Sequence, residues 1–326
     1  MLLLRESDVR ALLPMADAID LMDRALRAFS TGQVVQPVRL AMLIGPHGGY
    51  LGLMPAHLRA PEEALGAKAV TFYPGNAARG LPTHLAVILL WEGATGQPLA
   101  LLDGRLITEV RTAATSAAAA RVLARPQAAV LAILGAGVQA RSHLEALRLV
   151  RPIREVRVWS RTSARAAALA EEAREKLGVA ARACATAEEA VRGADLIVTA
   201  TSSPTPVLAG AWVAPGAHIT SVGAARPDWR ELDTEAVRRA RVFVDSRAGA
   251  LAESGDLLIP MREGALSADH IAGEVGEVLA GRVPGRTADE EITLFKSLGM
   301  AVEDVAAAHL VYTRARQRGV GEEISL

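Results

Sequence analysis

The chain has 326 residues, enough for two domains with separate cores, and its 36 basic and 36 acidic residues cancel, which gives no support to nucleic-acid or membrane-surface binding. Cys184 is the single cysteine, so an intrachain disulfide is excluded and a reducing compartment is expected. No apolar run reaches the roughly 18 residues of a membrane span, and the start Met1–Glu6 becomes charged too soon for a signal peptide, so no membrane partner and a cytoplasmic location are expected.

The first residues read as a short strand followed by helices. Pro14 opens a helix in which Ile19, Met22, Ala25, Leu26 and Phe29 keep a helical period. Strands are expected over Pro37–Ile44, Tyr50–Met54, Leu65–Tyr73, Thr83–Trp91 and Pro98–Leu102, separated by glycine-rich turns. The first hundred residues therefore read as mostly antiparallel sheet with helices at one side. Thr108–Ala124 is an alanine-rich helix with Arg111 in its first turn, closed by Arg125-Pro126.

From Ala128 the pattern alternates. An apolar strand, Ala129–Leu134, is followed by Gly135-Ala136-Gly137-Val138-Gln139-Ala140, a helix and a strand Val156–Trp159. Helices over Ser163–Leu177, Thr186–Val191 and Asp233–Arg239 alternate with strands at Ala180–Cys184, Asp195–Ala200, His218–Val222 and Val242–Val244. Asp269–Ala280 reads as a further helix, and Leu298–Arg316 as a long amphipathic one that packs back on the N-terminal domain. Such alternation predicts an α/β fold: a Rossmann-type doubly wound parallel sheet, plus a separate α/β domain. The expected boundaries are 1–120 with 298–326 for the separate α/β domain, and 121–297 for the NAD(P)-binding domain.

The glycine turn specifies the cofactor class. Gly135 permits a tight turn, Gly137 lets backbone N–H groups approach a pyrophosphate, and Ala140 replaces the third glycine of the fingerprint. Ala136, Val138 and Gln139 line the same helix N-terminus, where free N–H groups and the dipole favour an anion. NAD enzymes place a carboxylate about 20 residues further on, for the ribose hydroxyls. Here Ser160-Arg161-Thr162 offers a guanidinium between two hydroxyls, which suits a 2′-phosphate, so NADPH is expected and NADH less so. Cofactor contacts are also expected at Thr199, Ala200, Thr201, Val222, Ser297 and Leu298.

Several stretches together carry a resemblance. They are Gln36–Arg39, Lys68–Tyr73, Leu81–His84, Asp103–Thr112, Leu134–Ala140, Ser221–Ala224, Arg226–Asp233 and Phe295–Asp304. Through them the chain resembles the ornithine cyclodeaminase/mu-crystallin family along nearly its whole length. The string Arg226–Asp233 and the turn Trp159–Thr162 lie nearest the mu-crystallin side of that family. The resemblance implies a homodimer, in which residues 1–120 with 298–326 are the substrate-binding and dimerisation domain. It also implies hydride transfer between a nicotinamide and the α-carbon of a small amino or imino acid.

The resemblance gives Arg39 and Arg111 the substrate carboxylate, a role that the guanidinium fork suits; a surface ion pair is the alternative for each. Lys68, among small apolar residues, is expected to be desolvated, with a lowered pKa, and fit to share a proton with an imine nitrogen or bind the carboxylate. An edge-strand lysine is the structural alternative. Thr83 is expected to hydrogen-bond the carboxylate, whereas the adjacent His84 should point to the opposite face of the strand and is read as structural. The remaining histidines lack metal-ligand spacing, so no metal is expected. In the family's cyclodeaminases a catalytic Asp follows the Val-Gly pair after a strand; along Val222-Gly223-Ala224 that place is taken by Ala225. Ala cannot act as the acid/base group of ammonia loss. Asp228 is the reserve proton donor.

These residues predict NADPH-dependent reduction of the C=N bond of α-imino acids. The resemblance places cyclic ketimine carboxylates such as Δ1-pyrroline-2-carboxylate or Δ1-piperideine-2-carboxylate first. Alanine dehydrogenase and ornithine cyclodeaminase are the alternatives within the family. A non-catalytic NADPH-dependent ligand-binding protein is the alternative from another class.

Overall fold

The computed structural model describes residues 1–325, which divide into two compact units: Met1–Arg111 with the chain from Gly299 onward, and Thr112–Leu298. In chain order the elements are β1 (Leu2–Leu4), α1 (Glu6–Leu12), α2 (Met15–Ser30), β2 (Val34–Val35), β3 (Leu40–Ile44), β4 (Gly49–Leu58), β5 (Ala64–Phe72), β6 (His84–Trp91), β7 (Pro98–Asp103) and α3 (Gly104–Leu123). There follow β8 (Val130–Leu134), α4 (Val138–Arg148), β9 (Glu155–Trp159), α5 (Ser163–Leu177), β10 (Ala180–Ala183), α6 (Ala187–Val191), β11 (Leu196–Thr199), β12 (His218–Ser221), α7 (Thr234–Arg239) and β13 (Arg241–Val244). The chain continues through α8 (Arg247–Glu253), α9 (Gly255–Arg262), β14 (Ile271–Glu274), α10 (Val275–Leu279) and β15 (Thr293–Lys296), and closes with α11 (Ala301–Arg318) and β16 (Glu322–Glu323).

In the first unit the strands run β16-β1-β7-β6-β5-β4, and β4 pairs on its far side with both β2 and β3. All pairs are antiparallel except β1 with β7. Strand alternation divides the sheet into two faces. Met54, Ala56, Lys68, Val70, Ile88 and Leu90 are buried on one face, and α11 packs on strands β4, β5 and β6. The small residues of α11, including Ala301, Ala307, Ala308 and Ala315, are buried and permit a close approach.

The second unit is built on an all-parallel sheet in the order β10-β9-β8-β11-β12-β15-β13-β14. Its central strands are buried apolar runs, as a sheet covered on both faces requires. The chain leaves β8 in one direction through β9 and β10, and in the other through β11 and β12. The gap between the ends of β8 and β11 is thus the topological switch point, where doubly wound sheets bind their ligands.

Some local expectations are corrected. Residues 269–280, expected as one helix, form a turn, the strand β14 and the short helix α10. Pairing with β13 captures Ile271 and Gly273, and two glycines in this stretch weaken the helix. The helix expected from Thr108 starts at Gly104, where the Asp103 carboxylate accepts the Leu106 N–H at 2.8 Å, so Arg111 lies two turns in rather than in the first turn. Strand β3 begins at Leu40, so Arg39 precedes it instead of lying within it. Strands β2 and β15 and helices α8 and α9 were not expected from the sequence. Among the described residues, no helix is long and apolar enough to cross a membrane.

Candidate functional site

The residues of the second unit expected to contact the cofactor share one structural position. Gly135–Gln139 follow β8, Ser160–Thr162 follow β9, Ala200 and Thr201 follow β11, Val222 follows β12, and Ser297 and Leu298 follow β15. All lie at the C-terminal ends of parallel strands; Thr199 is the last residue of β11. Gly135 has a φ of 121°, and a Cβ there would run into the Ala200 carbonyl, so the turn tolerates no side chain. Its N–H donates to Trp159 O at 2.8 Å, which joins the turn to the end of β9.

Gly137 is the N-cap of α4 without a side-chain cap, and its Cβ position faces open space. The first amides of α4 therefore have no side chain competing for them, as an approaching phosphate needs. Ala140 is fully buried, where the third fingerprint position packs helix on sheet. The buried Gln139 Oε1 and Ser297 Oγ have no hydrogen-bond partner. Two orphaned polar atoms, a side-chain-free turn and an uncapped helix N-terminus fit a dinucleotide. After β9, Arg161 is exposed between Ser160 and Thr162, and the Thr162 N–H donates to Ser160 Oγ at 3.3 Å. No carboxylate stands in this turn.

The first unit assembles a second cluster. Lys68 lies on the central strand β5, opposite Met54 and Ile88, and is 2% exposed. That position removes the edge-strand alternative. Its Nζ sits 2.5 Å from Asp304 Oδ2 and donates to Thr108 Oγ1 at 3.4 Å. Arg111 pairs with Glu303 at 2.6 Å and with Asp304 at 3.0 Å, and both carboxylates are fully buried in the first turn of α11. Gln36 Oε1 accepts the Val302 N–H of the same turn at 2.9 Å.

Gly299 joins the two arginines. Arg39 donates to its carbonyl at 3.1 Å, and at a φ of 83° its Cβ position is filled by the Arg111 guanidinium. Burial pushes the Lys68 pKa down to about 8; Asp304 opposes this shift, while Arg111 and Arg39 add to it. Burial works against the Arg111 charge, but Asp304 and Glu303 more than offset it and raise its pKa. Two buried cations, Lys68 and Arg111, thus meet the Glu303–Asp304 pair, and Arg39 joins them through Gly299. Guanidinium groups so placed suit a carboxylate.

Thr83 stands immediately before β6, its hydroxyl 3.4 Å from His84 Nδ1. His84, read as structural on the opposite face, pairs in register with Phe72 and so shares the face of Lys68. Its ring lies 4.5 Å from that of Phe72, and although the residue keeps an exposed edge, desolvation and the Lys68 charge lower its pKa. Asp228 is at the surface, bound by Arg226 at 3.1 and 3.2 Å, and Arg226 holds its pKa below the ordinary value. Such a carboxyl is ionised near neutrality and is a poor proton donor. Glu303, Asp304 and Gly299 were not singled out from the sequence; the only signal was an acidic pair opening a helix within Phe295–Asp304. No group of candidate metal ligands exists among the described residues.

The sequence profile of the ornithine cyclodeaminase/mu-crystallin family matches residues 1–319. The mouse protein "Ketimine reductase mu-crystallin" is 48% identical over 294 residues, covering 89% of this chain and 90% of its own length. The solved structure of Thermococcus litoralis Δ1-pyrroline-2-carboxylate reductase in complex with NADH and L-proline is 42% identical, with a TM-score of 0.97 over 99% of this chain and 100% of the other. An archaeal alanine dehydrogenase dimer with bound NAD is 36% identical, with a TM-score of 0.95 over 100% of this chain and 99% of the other.

Proposed function

The chain belongs to the ornithine cyclodeaminase/mu-crystallin family, and from that premise we propose that it reduces the C=N bond of small α-imino acids with NADPH. Its relatives are named ketimine reductase and Δ1-pyrroline-2-carboxylate reductase, and it is an NAD(P)-dependent imine/ketimine oxidoreductase. Cyclic ketimine carboxylates such as Δ1-pyrroline-2-carboxylate or Δ1-piperideine-2-carboxylate are the proposed substrates. The observation that carries this reading is the cluster of Arg39, Lys68 and Arg111 at Gly299 and the Glu303–Asp304 pair, with Lys68 and Arg111 buried.

A nicotinamide cofactor held by the second unit would supply the hydride; Gly135, Ala136, Gly137, Val138 and Gln139 would hold its pyrophosphate, and Ser160, Arg161 and Thr162 its 2′-phosphate. Arg39 and Arg111 hold the substrate carboxylate with charge-assisted hydrogen bonds. Lys68 would supply the proton that the nitrogen takes up when the C=N double bond is reduced to a C–N single bond. A lysine with a pKa of about 8 is protonated at neutral pH yet gives up its proton readily. Asp304 keeps the Lys68 ammonium aimed and charged, a role that the exposed Asp228 does not fill.

Oxidation of NADPH and of NADH over a panel of cyclic imino acids and keto acids, each with and without ammonia, tests the reading. Oxidation of NADPH by cyclic imino acids without ammonia is the expected result. Turnover only with pyruvate and ammonia would make the chain an alanine dehydrogenase, and ammonia release from ornithine a cyclodeaminase. Ala225, standing where the cyclodeaminase acid/base group is needed, argues against the last. Binding without turnover of any substrate would leave a ligand-binding protein.

A homodimer is the proposed assembly. Leu40, Leu53, Ala69 and Val87 form one directly paired row across β3, β4, β5 and β6, and Met42, Leu51, Thr71 and Leu85 form the next. Both rows lie on the face opposite Lys68, and Leu40, Met42, Leu53, Leu85 and Val87 are exposed. A contiguous apolar sheet face of this kind calls for a partner.

A further inference from the structure

Among the charged side chains that the second unit buries, three take no part in the steps above and are joined to one another. Glu231, Asp256 and Lys296 are each fully buried. The Glu231 carboxylate accepts four hydrogen bonds: from Thr201 N at 2.6 Å, Thr201 Oγ1 at 2.7 Å, Thr199 Oγ1 at 2.8 Å and Gly223 N at 2.7 Å. One side chain therefore ties the loop after β11 to the loop after β12. Asp256 in turn fixes Glu231, accepting the N–H groups of Glu231 and Leu232 at 2.7 and 3.0 Å. Its other oxygen accepts from Ser221 Oγ at 2.9 Å and pairs with Lys296 Nζ at 2.8 Å. Lys296 also donates to the Gly223 carbonyl, so both polar groups of that peptide residue are gripped by side chains from different elements.

What is gripped is a constrained loop. A Cβ at Gly223 would meet the Thr201 carbonyl and the Glu231 carboxyl, and the next residue, Ala224, has a φ of 55°, the only positive φ outside glycine among the described residues. Such a conformation costs free energy and persists only where its surroundings enforce it. The adenosine half of a dinucleotide falls to the ends of β8 and β9, where the glycine turn and Arg161 lie. The other half then falls across the switch point, at the ends of β11 and β12.

We propose that Glu231, Asp256 and Lys296 form a positioning triad that holds the Thr199–Thr201 and Val222–Ala224 loops in the shape that receives the nicotinamide half of the cofactor. The triad rests on the reading of the second unit as the dinucleotide site. Its members act through the loops and do not touch the reacting atoms. In Glu231→Gln an amide NH2 replaces an oxygen that accepts N–H and O–H donors, so at least one loop is released while side-chain size is kept. Thr199→Val removes one of the four hydrogen bonds at nearly constant volume.

The test compares, by titration calorimetry, binding of NADPH and of 2′-phospho-ADP-ribose, which lacks the nicotinamide, to the wild type and both variants. Glu231→Gln is expected to weaken NADPH about tenfold or more, and Thr199→Val by a smaller factor. Affinity for 2′-phospho-ADP-ribose is expected to stay within about twofold of wild type, since the adenosine side is untouched. Equal losses for the two ligands would show a general structural role and overturn the proposal, as would unchanged NADPH affinity in either folded variant. If Glu231→Gln does not fold, Thr199→Val alone decides by the same ratio. A wild type that binds neither ligand would overturn the dinucleotide reading itself, and the triad with it.

Discussion

Lys68 and Asp304 meet at 2.5 Å with side chains 2% and 0% exposed, so the ammonium has almost no water to exchange its proton with. Breaking such a buried pair leaves a charge uncompensated. With the Lys68 pKa lowered to about 8, the protonated donor predominates below that pH and is lost above it. Turnover of an imino acid is therefore expected to fall as pH rises through about 8. Asp304→Asn removes the group that raises the Lys68 pKa, so the falling limb should move to lower pH. Lys68→Met should lower kcat by about 100-fold or more with cofactor affinity intact. A pH profile of kcat in the three proteins checks this; the same limb in Lys68→Met would remove Lys68 from the proton transfer.

Gly299 sits at a φ of 83° with the Arg111 guanidinium where a Cβ would be. An L residue in this region costs about 1–2 kcal/mol, and the added methyl must also push the guanidinium off the Glu303–Asp304 pair. Gly299→Ala should raise KM for the imino acid about tenfold or more and leave the NADPH dissociation constant unchanged. Steady-state kinetics beside direct cofactor titration decide it, since a loss confined to cofactor binding would contradict the placement of Arg111.

The cofactor half was legible because its signals are local. Gly135, Gly137 and Ala140 are read within six residues of chain, and the Ser160–Thr162 turn follows from counting to the end of the next strand. The substrate half depends on contacts that close long loops. Lys68 and Arg111 were singled out, but their carboxylate partners lie on α11, and nothing in the spacing of the chain brings Asp304 to β5. The face of His84 is set in a related way. Alternation along β6 relates His84 only to its own neighbours, and the pairing with Phe72 that sets it on the face of Lys68 is a matter of register between strands. The misread helix at residues 269–280 shows the same limit, because partnership with β13 overrides local propensity.

Arg161 is exposed in a turn without a carboxylate, between two hydroxyl side chains. A 2′-phosphate there gains charge-assisted hydrogen bonds that a free ribose hydroxyl cannot form. Arg161→Ala should weaken NADPH about tenfold or more and change NADH affinity little, so the preference between them narrows. Binding constants for both cofactors in wild type and variant are the measurement. An unchanged ratio would mean that the phosphate is held elsewhere or that the preference is absent.

The two apolar rows across β3–β6 make a prediction about assembly. Leu53 stands within one row, paired with Leu40 on one side and Ala69 on the other, and is 40% exposed. Because Leu53 and Lys68 lie on opposite faces of the sheet, a charge introduced at Leu53 should leave the core of the first unit in place while burying an unpaired carboxylate in any interface formed by that face. Leu53→Glu is therefore expected to sediment as a monomer at concentrations where the wild type is a dimer, with circular dichroism unchanged. Wild-type and Leu53→Glu protein that sediment alike would move the interface to another surface or remove it.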